Sequence, residues 1–158
     1  LKVVNLNKVV TDYIKPLISS YDGLTIELDK IIEKAFIMAD EKQIRQACSN
    51  LIKNSYENIT LNKIPEGNIS ICFEIENDFA SITINDNGTG IDKSIISKIL
   101  EPYYSTKVGN SGLGLAITKK IIDDHNGIIL IKPLKGSKGM SVTLKFPLIS
   151  KLKKENSK

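Results

Sequence analysis

Apolar residues recur along this chain in two rhythms, one helical and one alternating. Across residues 5–20 they fall at Leu6, Val9, Val10, Tyr13, Ile14 and Leu17. That loose helical spacing is expected to kink or break at Pro16, which has no N–H to donate. Tyr21-Asp-Gly23 reads as a turn. Residues 24–28 alternate apolar with polar and predict a strand, and residues 36–39 a short second one. From Asp40 the period becomes 3.6: Ile44, Ala47, Cys48, Leu51, Ile52 and Ile59 make one face. Asp40 stands as the N-cap, and Gln43 follows at capping-box spacing. A second line runs beside that face, Asn50, Asn54 and Asn58, each four residues apart and so stacked on one side. At about 100° per residue Asn54 borders the apolar stripe, which predicts partial shielding from water.

Pro65-Glu-Gly67 reads as a turn. Residues 69–75 and 81–84 predict two strands of a hairpin. Asp86-Asn-Gly-Thr-Gly90 is a loop that needs glycine. Asp92 is expected to cap a short helix ending before Pro102, and residues 103–112 to form a mobile loop. A helix is predicted from Ser111 or Gly112 to about His125, with Asn126-Gly127 as its stop. Residues 128–131 and 141–146 predict the last strands, with a turn at residues 135–139. Helix, strands, helix, loop, helix, strands implies a two-layer α+β sandwich, its sheet mostly antiparallel.

Composition fits one domain with a sizeable core: 158 residues, 41% apolar, 25% charged, 6% aromatic and no Trp. No apolar run reaches the length of a membrane span. The N-terminus lacks a signal peptide and does not begin with Met, so the chain is expected to be a piece of a longer protein. Cys48 and Cys72 form neither a disulfide framework nor a metal motif. They are expected to be inert thiols on apolar faces, suited to a reducing compartment. Net charge is +4, from 22 Lys and Arg against 18 Asp and Glu. Arg45 is the sole arginine and the lysines are scattered, which argues against a nucleic-acid footprint. The basic tail from Lys151 reads as a solvated end.

Taken singly, the candidate chemical residues leave the reading open. No P-loop is present, and neither Gly88-Thr-Gly90 nor Gly109-Asn-Ser-Gly-Leu-Gly114 has dinucleotide-fold spacing. Gly112-Leu-Gly-Leu115 lies at a helix start, where free N–H groups favour a phosphate; it reads equally as a flexible loop entering a helix. Asp86 at a strand end can accept a hydrogen bond from an exocyclic amine, and Asn-Gly is also a common turn. An Asn carbonyl oxygen suits Mg²⁺, and a line of Asn also makes a plain solvated face. His125, the one histidine, stands at a helix end and is expected to pack or cap there. Asp123 and Asp124 diverge as helical neighbours.

The order of these signals carries more. Asn50-Leu-Ile-Lys-Asn54 resembles the N box of the GHKL ATPase superfamily, and Asp86-Asn-Gly-Thr-Gly90 its G1 box. Leu100-Glu-Pro-Tyr-Tyr-Ser-Thr-Lys107 resembles the F box of sensor histidine kinases. Gly112-Leu-Gly-Leu115 is similar to the G2 box, His125-Asn-Gly127 to the HGG that follows it, and Gly139-Met-Ser-Val-Thr143 to the closing glycine-rich segment. Over about residues 24–147 the chain resembles the catalytic ATP-binding domain of a two-component histidine kinase, with a short lid similar to the NtrB/NtrY nitrogen-regulation branch.

The resemblance implies the Bergerat fold, a mostly antiparallel mixed sheet covered on one face by about three helices. Residues 1–23 would be a segment from a preceding dimerisation domain, 24–148 the ATP-binding domain, and 149–158 a charged tail. It implies ATP and Mg²⁺ as cofactors. Asn54 would hold Mg²⁺, with Asn50 on the triphosphate side and Asn58 on the same face. Asp86 would take the adenine amine, Gly88 and Gly90 would shape the adenine wall, and Ile91 would pack near it. Lys107, Ser111, Gly112, Leu113, Gly114 and Leu115 would hold phosphates in a closing lid, and Thr143 would reach adenine directly or through water. The partners implied are a phosphoacceptor dimerisation domain of the full-length chain and a response-regulator receiver domain, with no nucleic acid. The fragment is expected to be monomeric, the full-length protein a homodimer, and the domain cytoplasmic, with a membrane anchor elsewhere left open.

Two departures stand out. Asn126 replaces the usual glycine, which a helix-stop Asn tolerates in the left-handed region. Glu57 stands where many members place Lys or Arg toward the phosphates. Chaperone, gyrase and mismatch-repair relatives carry Glu at position 50, where it activates water; Asn50 cannot act as a general base. The phosphoacceptor His would come from a separate helix, since residues 5–20 contain none. The competing readings are a nucleotide-binding pseudokinase without transfer and a GHKL ATPase clamp.

Overall fold

A computed structural model describes residues 1–29, 34–105, 112–134 and 138–150. Of the residues singled out above, Lys107, Ser111, the turn residues 135–137 and the tail from Lys151 lie outside the described residues.

The strands alternate as expected, and their inward positions are mostly aliphatic. In β4 (Gly67–Glu76) Ile69, Ile71 and Phe73 are buried. In β5 (Phe79–Asp86) Ala80, Ile82 and Ile84 face the same side. In β7 (Met140–Pro147) Val142, Leu144 and Phe146 do. With β2 (Leu24–Asp29) and β6 (Ile128–Pro133) they form one sheet in the order β2-β4-β5-β7-β6. Only β2–β4 is parallel, so the sheet is mixed and mostly antiparallel, as expected. The β4–β5 hairpin turns in two residues, and Asn77 takes the left-handed conformation (φ +54) such turns require.

Alternation also corrects one expectation. With Ile71 and Phe73 inward, Cys72 points to the outer, polar face, half-buried, its Sγ 3.7 Å from the Asp29 carboxylate. Cys48 does lie in the core, where burial pushes its thiol up to about 12, so no thiolate forms at neutral pH.

Helix α2 (Glu41–Leu61) buries the stripe Ile44, Ala47, Cys48, Leu51, Ile52, Ser55 and Ile59 over β4 and β5. Helix α3 (Gly114–Asp124) covers β6 and β7 and packs along α2. The N-terminal stretch is shorter as a helix than expected: α1 spans Leu6–Ile14, and a 3-10 turn, Lys15–Leu17, forms at Pro16. It is also not separate from the domain. Residues Lys2–Asn5 form β1, which pairs with β3 (Phe36–Ala39) in a small second sheet. Leu6, Val10 and Ile14 are fully buried in the same core as Ile44 and Ile52, because a helix with one apolar stripe needs a partner for it. The short helix expected after Asp92 is two 3-10 turns, Lys93–Ile95 and Lys98–Leu100, with Asp92 capping the first through the Ser94 N–H.

Asp40 caps α2 by accepting from the Lys42 and Gln43 N–H groups. Those bonds hold its carboxyl below the usual carboxylate range. The cap's stabilisation is therefore present above the unfolded-state value of 3.8 and is lost as pH falls through the lowered folded value. The capping box is only half formed. The Asp40 N–H donates not to Gln43 but to His125 Nε2 at 3.1 Å. His125 is 3% exposed; its Nδ1 lies 2.7 Å from the Ile121 carbonyl oxygen, which fixes the tautomer with hydrogen on Nδ1. The C-terminus of α3 is thus bonded to the N-terminus of α2. Next to it α3 ends in a Schellman motif: Gly127 N–H donates to the Ile122 carbonyl at 2.9 Å and Asn126 N–H to Asp123 at 3.0 Å. Asn126 occupies the left-handed position (φ +52) as anticipated.

His125→Ala is expected to cost about 2–3 kcal/mol, because the Asp40 N–H loses its acceptor, the Ile121 carbonyl loses one of its two donors, and a buried ring is removed. Asn126→Gly should change stability by less than about 1 kcal/mol. Gly127→Ala should cost more, since its Cβ would lie 2.5 Å from the Lys145 carbonyl oxygen. Urea melts of the three variants check that ranking; equal losses would contradict the account of the α3 terminus.

Candidate functional site

The polar side of α2, the loop after β5 and the start of α3 enclose a cleft of about 910 Å³, large enough for a nucleoside triphosphate. Asn50, Asn54 and Asn58 line it from α2, each half-buried as their position beside the apolar stripe predicts. Their amides are fixed differently. Asn50 Nδ2 donates to the Gly114 carbonyl at 3.1 Å and lies 3.4 Å from Thr118 Oγ1, so its amide is tied to the first turn of α3. Asn58 Oδ1 accepts from Thr89 Oγ1 at 3.0 Å and from Asn62 Nδ2 at 2.9 Å. Its oxygen is therefore engaged by protein donors. Asn54 Nδ2 is 3.8 Å from where a Cβ on Gly114 would stand, so the bare glycine keeps space open between the helices.

Across the cleft α3 starts at Gly114; Leu113 at its N-cap makes no side-chain capping bond, and its first turn holds no acidic residue. Leu113, Gly114 and Leu115 line the cleft, so the helix N-terminus faces a polar wall. The expected helix start at residue 111 or 112 moves to Gly114, because Gly112 is left-handed (φ +68) and ends the preceding loop. A Cβ on Gly112 would meet the Tyr104 carbonyl oxygen at 2.6 Å, so residues 103–104 and 112 touch backbone to backbone.

Asp86 lies under the cleft rather than on its wall. It is 2% exposed; Oδ2 accepts from Ser55 Oγ at 2.8 Å and Oδ1 from the Gly88 N–H at 3.0 Å. Gly88 separates it from Asn58: a Cβ there would sit 2.9 Å from Asp86 Oδ1 and 2.7 Å from Asn58 Nδ2. Gly90 (φ +81) and Ile91 line the cleft, and Gly90 packs against the backbone of Gly139. Gly139 in turn crosses Asp86 so closely that a Cβ would fall 2.0 Å from the Asp86 carbonyl oxygen.

The structure does not bring Thr143 to this site. Its hydroxyl pairs with Thr83 at 2.9 Å on the outer face, since β7 turns Val142 and Leu144 inward on either side of it. Met140, registered opposite Asp86, lines the cleft instead. Sequence reasoning also missed Ser55, Thr89 and Tyr104. The signal for Ser55 was its place inside an apolar stripe, four residues from both Leu51 and Ile59. Glu57 does line the cleft, with Lys53 Nζ 3.9 Å away at the rim, so a cation accompanies the acid.

A sequence profile described as "Histidine kinase-, DNA gyrase B-, and HSP90-like ATPase" matches residues 39–150, more than two thirds of the chain. An NtrY-like sensor histidine kinase of Rickettsia conorii is 33% identical over 127 residues, covering 80% of this chain and 21% of that protein. Sporulation kinase B of Bacillus subtilis is 33% identical over 148 residues, covering 92% and 33%. The chain thus spans between a fifth and a third of the length of these curated relatives. The catalytic domain of histidine kinase ThkA, in a nucleotide-free form, superposes with TM-score 0.75 at 26% identity, covering 93% of this chain and 95% of that one. ThkA in complex with the response regulator protein TrrA gives TM-score 0.75 at 23% identity over 95% and 42%. Among the described residues no helix is long and apolar enough to cross a membrane.

Gly88→Ala is expected to keep the fold and lower affinity for an ATP analogue about tenfold, because the new Cβ displaces only side-chain ends. Gly139→Ala meets backbone and should cost about 2–4 kcal/mol of stability. Calorimetry and urea melts separate the two effects.

Proposed function

The chain belongs to the histidine kinase-, DNA gyrase B- and HSP90-like ATPase family, and on that premise we propose that it is the ATP-binding catalytic module of a sensor histidine kinase. It transfers the γ-phosphoryl group of ATP to a histidine on a separate dimerisation domain, from which a response-regulator receiver domain takes it. The γ-phosphorus to β–γ oxygen bond breaks, a bond to an imidazole nitrogen forms, and ADP leaves.

One observation carries this reading: a helix N-terminus faces a line of half-buried amides across a cleft of nucleotide size. The N–H groups at the start of α3 suit the triphosphate, and Asp86 behind Gly88 suits the adenine amine. Asn54 is the residue suited to Mg²⁺, since it lines the cleft opposite that helix start and a carboxamide oxygen is a hard ligand. When bound, Mg²⁺ would neutralise charge developing on the phosphates. The chain's own residues position and desolvate. Asn50 offers no general base to activate water, which favours transfer to an external acceptor over hydrolysis. The NtrY-like and sporulation kinase relatives support the kinase assignment, and the ThkA–TrrA complex the response-regulator assignment.

Titration with a non-hydrolysable ATP analogue should show micromolar binding that strengthens with Mg²⁺. Asn54→Ala should remove most of the Mg²⁺-dependent increment and leave metal-free binding within about threefold. Equal loss with and without metal would remove Asn54 from the metal site. Phosphorylation of an added dimerisation domain, with little ATP hydrolysis in its absence, distinguishes the kinase from both a pseudokinase and an ATPase clamp.

A further inference from the structure

Among the buried polar groups, Ser55 stands out. It is 3% exposed and occupies a core position of α2 that any small apolar residue would fill. Its hydroxyl donates to Asp86 Oδ2 at 2.8 Å, while the Gly88 N–H holds Oδ1 at 3.0 Å. The two donors come from different elements, the helix that lines the cleft and the loop after β5. Each grips a different oxygen of one carboxylate, so together they fix its plane as well as its position.

We infer that Ser55 is a positioning residue that sets base discrimination at this site, favouring a 6-amino over a 6-oxo purine. The inference rests on the reading of Asp86 as the acceptor for the adenine amine. A purine bearing an amine at position 6 donates to a carboxylate, whereas one bearing a carbonyl there meets a second acceptor. That difference is expressed fully only if the carboxylate cannot turn. Without the Ser55 hydroxyl, one oxygen loses its helix donor, and the group can rotate about its last side-chain torsion, which is broad and two-fold. A turned carboxylate accepts less well from the amine and repels the carbonyl less. Rotation also lets water bridge to either base, so selectivity falls while phosphate contacts at the α3 terminus are untouched.

The test compares calorimetric affinities of the 158-residue chain and its Ser55→Ala variant for three probes: non-hydrolysable ATP and GTP analogues and inorganic tripolyphosphate. Ser55→Ala should weaken the ATP analogue about five- to twentyfold and lower the ATP-to-GTP preference about as much, with tripolyphosphate within twofold. Ser55→Cys keeps the shape with a weaker donor. It should fall between the two and serves as the test if the alanine variant does not fold. An unchanged ATP-to-GTP ratio, or an equal loss for all three probes, overturns the inference and leaves Ser55 a packing residue. If the unaltered chain shows no preference between the two purines, the Asp86 reading itself fails and the inference with it.

Discussion

Helix α2 carries two stripes side by side, one dry and one polar, and the placement of every other element follows from keeping both satisfied. The dry stripe runs from Ile44 to Ile59 and lies on β4 and β5. The polar stripe, Asn50 to Asn58, must stay half-buried without being sealed, since amides removed from water without partners cost several kcal/mol. α3 resolves this by lying alongside α2 and bonding to it at both ends. At one end the Asp40 N–H reaches His125; at the other Asn50 reaches the Gly114 carbonyl. Beyond the second bond, where α3 begins at the side-chain-free Gly114, the cleft opens.

The glycines that matter act by close approach as much as by left-handed backbone. Gly139 crosses Asp86 within a distance no Cβ permits, and Gly90 packs on Gly139. This crossing locks the end of β5 to the start of β7, so the carboxylate of Asp86 is anchored from below by backbone and from the sides by Ser55 and Gly88. Gly112 does the same for the loop that begins at Tyr103, a residue held at φ +65 and 80% exposed. Left-handed non-glycine residues cost on the order of 1 kcal/mol or more and persist where neighbours over-determine them. Here the neighbour is the backbone contact at Gly112.

Periodicity made α2, its cap and the sheet's alternating strands legible, because each depends on residues close in sequence. Small errors came where a long-range contact decides the outcome. β1 is too short to show a period, and it exists because β3 pairs with it. The half-formed capping box could not be read locally, since the competing acceptor, His125, is 85 residues away. Cys72 reads as lying on an apolar face because both of its immediate neighbours, Ile71 and Phe73, are apolar. A one-residue difference in phase reverses a strand's faces. Gly112-Leu-Gly-Leu115 and Asp86-Asn-Gly-Thr-Gly90 were legible as loops, but the cleft they share appears only once α3 folds back on α2.

Position 50 joins the packing to the chemistry. Asn50 is an amide donor here, and both of its contacts, the Gly114 carbonyl and Thr118 Oγ1, need one; Thr118 has already given its hydrogen to Gly114. An ionised glutamate, the residue that activates water in the ATPase relatives this chain resembles, has no hydrogen to give. It would set a carboxylate against the carbonyl of Gly114 and push α3 away at the point where the helix begins beside the cleft. Docking α3 through Asn50 and placing a general base at that position are therefore mutually exclusive in this fold. A chain that closes its helices through Asn50 therefore carries an amide donor, and no general base, at the mouth of the cleft.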